Sequence, residues 1–106
     1  MSDLALEDVE TAMRFARTRG ALLAEDVANA RTPGFVARDA SLVPAPREGG
    51  ESFSTVLHDV TVNGSAGVLE YAMGAQARNA VAYHELAQQE RAMLRELRNV
   101  AEQSER

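Results

Sequence analysis

His84-Glu85-Leu86-Ala87-Gln88 is the stretch whose residue types come nearest to a catalytic pattern. A His-Glu-x-x-His helix holds zinc because two imidazoles four residues apart leave one helical face, with the glutamate placed as general base. Gln88 stands where the second imidazole is required, so the segment is read as no metal site. His58 is the other histidine and lies in a polar stretch far from His84 along the chain, so spacing assembles no cluster of ligands. No serine occupies a Gly-x-Ser-x-Gly elbow, and no glycine-rich phosphate loop occurs. With no cysteine, neither a disulfide framework nor a thiolate metal site can form. The expectation is a protein that is not an enzyme, holds no metal or cofactor and takes no small-molecule substrate.

The elements that would position any site are therefore read for packing. At 106 residues the chain is one domain at most, and so short a chain buries a limited fraction of its surface. Hydrophobic residues make up 45% and aromatics only 5%, a balance that favours closely spaced helices over a thick core. A net charge of −5 argues against nucleic acid or an anionic membrane as partner, since both require a concentrated basic face. The first residues, Met1 to Asp8, have no basic segment followed by an apolar run, so no cleavable secretory signal is read there.

Apolar or small residues recur at Leu6, Val9, Met13, Ala16, Gly20, Leu23, Val27 and Ala30, in steps alternating between three and four. That is a heptad seam, and it predicts a helix over 1–31. The seam narrows at Ala16 and Gly20, where a partner helix could approach closely. Thr32-Pro33-Gly34 ends the helix, because proline disfavours the helical conformation at the residue before it and glycine accepts positive φ. Residues 32–65 are rich in proline, glycine, serine and charge, and are read as a turn followed by a mobile polar linker. Within it, Val56, Val60 and Val62 and the turn signal Asn63-Gly64 leave room for one short β-hairpin.

A second helix is predicted over 66–104, with Ser65 as its N-cap. Its seam runs through Leu69, Ala72, Gln76, Asn79, Tyr83, Leu86, Glu90, Met93, Leu97 and Val100, and Met73 is counted with it. The polar Gln76, Asn79 and Glu90 either fix register or lie on a slightly rotated, exposed edge. The predicted fold is all-α: two long heptad helices packed as an antiparallel coiled-coil hairpin and joined by a flexible polar middle.

Two segments carry a family resemblance. The first helix ends Ala28-Asn29-Ala30-Arg31-Thr32-Pro33-Gly34-Phe35-Val36-Ala37-Arg38-Asp39, and the second opens Leu69-Glu70-Tyr71-Ala72-Met73. Together they resemble the N- and C-terminal signatures of the flagellar basal-body rod proteins, with the Thr-Pro-Gly form most like the proximal-rod members. The resemblance covers the two helical ends and leaves the middle unmatched. It implies a structural subunit, exported without a cleavable signal by the flagellar export apparatus, that assembles into a helical filament in the periplasmic rod and transmits motor torque. Implied partners are other rod subunits and the adaptor between rod and membrane ring.

Under this reading the turn Asn29, Thr32, Pro33, Gly34 and Phe35 is an interface candidate. Asn29 is expected to cap the helix end or to bond a neighbour. Phe35 is either an anchor between subunits or packed within its own helix pair. Arg38-Asp39 is read as a solvated pair, with pairing across subunits as the alternative. The competing function is a helical-hairpin adaptor or export chaperone that offers the same seam to a single partner.

Overall fold

The computed structural model describes residues 6–47 and 50–104 of the chain. The expected helix over residues 1–5, and Glu48-Gly49 of the expected linker, lie outside them.

Strict three-four spacing gives the first helix, α1 (Leu6–Asn29), one apolar stripe, and Val9, Met13, Ala16 and Leu23 on that stripe are buried. The stripe is covered by α2 (Gly64–Ser104). Asn79 of α2 meets Ala16 of α1, while Leu23 shares a core with Ala72 and Ala75, so the two helices run antiparallel. At about 1.5 Å rise per residue, 24 residues span about 36 Å and 41 residues about 61 Å. The longer helix accounts for the 65 Å long axis of the molecule.

Small residues let the helices close on each other. Gly20 faces Asn79 so tightly that a Cβ built on it would lie 3.3 Å from the Asn79 amide nitrogen. That nitrogen donates a 2.8 Å hydrogen bond to the Ala16 carbonyl. The narrow point of the seam is thus occupied by a polar side chain that reaches the facing backbone. A register slip would leave this amide with no such acceptor, which suits the register-fixing role of a polar seam residue.

The all-α expectation is overturned between the helices. The chain there forms two antiparallel strands, β1 (Arg38–Arg47) and β2 (Gly50–Asp59), so the order is helix, two-stranded sheet, helix. Arg38 pairs with Asp59 at the base and Arg47 with Gly50 at the far end, and the Val60 amide extends the ladder by bonding the Ala37 carbonyl at 2.9 Å. The stretch read as a mobile linker is therefore mostly paired backbone. Pro44 and Pro46 misled that reading: proline is tolerated where a strand has an open edge, as both strands of a two-stranded ribbon do. Asn63-Gly64 is not the hairpin turn either. Gly64, with φ of +69°, opens α2 one residue before the expected cap at Ser65.

β1 rather than β2 is the strand that packs on α1, and Ala40 within it and Ala37 just before it are buried. The ribbon is thus anchored at its base.

Candidate assembly interface

The turn after α1 is fixed by its own residues. The Asn29 side-chain amide donates to the Glu25 carbonyl at 3.0 Å, folding back along the last turn of α1. The Asn29 carbonyl accepts from the Thr32 amide at 2.9 Å, and the Thr32 hydroxyl donates to the Asn29 side-chain oxygen at 3.3 Å. Phe35 then donates its amide to the Thr32 carbonyl at 3.1 Å. Proline second and glycine third, with Gly34 at φ +80°, is the signature of a type II turn, whose third position requires positive φ.

The turn delivers Phe35, half-buried, to a shallow groove of about 280 Å³ lined also by Ala30, Val36, Val62 and Val68. Among the described residues no heavy atom lies within 4 Å of a Cβ built on Gly34. A substitution there is therefore resisted by the backbone alone. Gly34→Val should destabilise the chain by about 1–2 kcal/mol, whereas Phe35→Ala should leave helix content unchanged. Circular dichroism melts of the two variants check both; an unshifted melt for Gly34→Val would rule out a required left-handed residue.

Asp39 departs furthest from its sequence reading. It is neither solvated nor paired with Arg38 but buried, with 2% of its side chain exposed. Arg19 of α1 grips it with two parallel hydrogen bonds, both 2.8 Å, in the fork geometry that suits guanidinium to carboxylate. The Tyr71 hydroxyl of α2 donates to one carboxylate oxygen, and the Ala40 amide donates to the other at 2.7 Å. Burial would raise this carboxyl's pKa, but the bonds from Arg19, Tyr71 and Ala40 outweigh it and hold Asp39 well below the usual carboxylate range. One side chain thus ties α1, β1 and α2 together.

A second buried carboxylate, Asp26 of α1, accepts the Arg38 amide at 3.0 Å through one oxygen, while its other oxygen is buried with no hydrogen-bond partner among the described residues. Burial raises its pKa, and the negative charge of Asp39 adds to the effect. The two carboxylates act in opposite directions on stability. Asp39, depressed in the folded state, contributes fully above the ordinary carboxyl range, and that contribution is lost as pH falls. Asp26, raised in the folded state, contributes below that range, and its contribution is lost as pH rises through the raised value. From these two groups stability should peak near the ordinary carboxyl pKa, about 4, and decline toward neutrality. Asp26→Asn should abolish the decline. Urea midpoints across this pH interval read it, and an unchanged slope in Asp26→Asn would assign the decline to other groups.

On the seam, Leu6, Val27, Leu69, Tyr83, Leu86 and Met93 are half-buried, and Val9, Met13 and Leu23 are buried. Three seam assignments need correction. Met73 is 59% exposed because it lies one position beyond the buried Ala72, on the outward side of α2. Leu97 and Val100 keep the heptad spacing but are 55% and 58% exposed, since the seam of α2 continues past the first described turn of α1. With Leu6 and Met93 they border an apolar groove. Arg17 lies over the Tyr83 ring at 5.8 Å and donates to its hydroxyl at 3.0 Å, closing the outer rim of the helix pair.

Sequence reasoning missed Arg19, Asp26 and Tyr71. Arg19 and Asp26 flank the seam and carry no periodic signal of their own. Tyr71 stands inside a quoted motif, but only through-space geometry links it to Asp39. Among the described residues no three His, Cys, Asp or Glu side chains gather as a metal site, and no helix is long and apolar enough to cross a membrane. No protein-family model, no curated protein and no solved structure matches the chain.

Proposed function

We propose that the chain is a structural subunit of the bacterial flagellar rod, which packs its helices against those of neighbouring subunits and performs no chemistry. The observation that carries the reading is the exposed continuation of the α2 seam. Leu97 and Val100 follow the spacing of the other α2 seam positions, yet no helix among the described residues covers them. An apolar helix stripe that the described residues leave exposed is suited to a second partner. The Thr-Pro-Gly-Phe turn and the Leu-Glu-x-x-Met segment support the same reading through their resemblance to rod proteins. The node at Asp39 fits a subunit held as one stiff body, since it fixes the hairpin to both helices.

In this role the chain would reach the periplasmic rod through the flagellar export apparatus and contact other rod subunits and the adaptor at the membrane ring. Immunolabelling of purified basal bodies tests it. Label on the rod is the expected result; a soluble complex with one partner in one-to-one ratio, absent from basal bodies, would instead identify an adaptor or chaperone.

A further inference from the structure

We infer that β2 is a docking edge for β2 of a second copy, related by a two-fold axis through Thr55. This goes beyond the rod reading and does not depend on it.

The two edges of the ribbon are unlike. Unpaired amides and carbonyls on an open edge invite another strand, and proline or a covering element blunts such an edge. β1 is blunted by both devices: it carries Pro44 and Pro46 and packs against α1 at its base. β2 contains no proline, and every residue from Phe53 to Asp59 is exposed. Phe53, Val56 and Leu57 are among the large apolar side chains left open to water. An isolated two-stranded ribbon is marginal in water, and further strands strengthen it.

The sequence of β2 selects its own copy as the occupant. A two-fold axis normal to the sheet keeps each face on its side, so only residues of the same face can stand opposite one another. In the observed ladder Thr55 pairs with Leu42, Phe53 with Pro44 and Leu57 with Ala40, so Phe53, Thr55 and Leu57 share one face. An axis at Thr55 sets Phe53 against Leu57 of the second copy on both sides of the centre, and Ser54 against Val56 on the other face. Aromatic-to-aliphatic pairs of this kind stabilise antiparallel strands. An axis at Ser54 would instead set Phe53 against Thr55, and one at Val56 would set Phe53 against Asp59. The ladder ends at His58, because the next step brings Asp59 opposite the acidic Glu51. So short an edge buries less than a standard interface, and the pair is weak in dilute solution.

Covalent trapping tests the pairing, and the absence of native cysteine makes it clean. Thr55→Cys places two thiols opposite each other across the axis, with Cβ atoms about 4.5–5.5 Å apart, near disulfide reach. Under mild oxidation of the full chain, Thr55→Cys should form a disulfide dimer at least about tenfold faster than Gln88→Cys, an exposed control on α2, because pairing raises the local thiol concentration. A mixture of Phe53→Cys and Leu57→Cys should yield the mixed disulfide in excess over both like pairs. Equal rates for Thr55→Cys and Gln88→Cys would overturn the docking edge, whether another protein's strand or nothing occupies it. Fast trapping of Phe53→Cys with itself would overturn the register.

Discussion

Asp39→Ala should lower the stability of the chain by about 3 kcal/mol, the lower end of the range for breaking a buried ion pair by removing one partner. The loss falls on three donors together. The Ala40 amide and the Tyr71 hydroxyl lose their acceptor, and Arg19 loses both of its bonds. Arg19 is 23% exposed and recovers part of its hydration, which is why the lower end applies. For a chain of this size the loss corresponds to a fall in melting temperature of more than about 10 °C. Arg19→Ala should cost at least as much, because the carboxylate left behind is the more deeply buried partner. The double variant should cost clearly less than the sum of the two, as expected for residues in one network. Additive losses would show that the node does not act as a unit.

A larger loss is expected from Leu23→Asp. Leu23 is fully buried against Ala72 and Ala75, with Val27 and Tyr71 packed on the same cluster. Truncating a buried leucine costs about 2–5 kcal/mol, and an unpaired buried charge adds several more. Native domains hold only about 5–15 kcal/mol in all, so Leu23→Asp should leave the chain largely unfolded at room temperature. Helical ellipticity falling to a small fraction of the parent value is the expected signal. A cooperative melt near the parent temperature would remove Leu23 from the core.

The helices and their contact face were legible because each heptad step is local: Leu6 to Leu23 repeat with a period that only one helical face can hold. The narrow crossing at Gly20 was legible for the same reason, since small residues at seam positions permit close approach. The ribbon was largely illegible. Its strand β1 interleaves Leu42 and Val43 with Pro44 and Pro46, a composition that reads as linker unless pairing is known, and pairing is a property of two segments rather than one. Asp39 was misread in consequence. On a linker an aspartate is solvated; on a paired strand lying against α1 it faces Arg19, twenty residues earlier. The exposure of Leu97 and Val100 was hidden for another reason, since periodicity reports which face a residue takes and not whether that face is covered.

The proposed role turns on those two residues, and Leu97→Asp separates folding from assembly. In the single chain Leu97 is 55% exposed, so the substitution should shift the melting temperature little, by less than about 0.5 kcal/mol in stability. If the chain packs into a rod as proposed, a neighbour would cover the same side chain, and the introduced charge would be buried without a partner. The measurement is rod assembly in a strain lacking the gene and supplied with Leu97→Asp, alongside a thermal melt of the purified variant. A parent-like melt together with absent rods is the result the account predicts. Complete rods built from Leu97→Asp would contradict it.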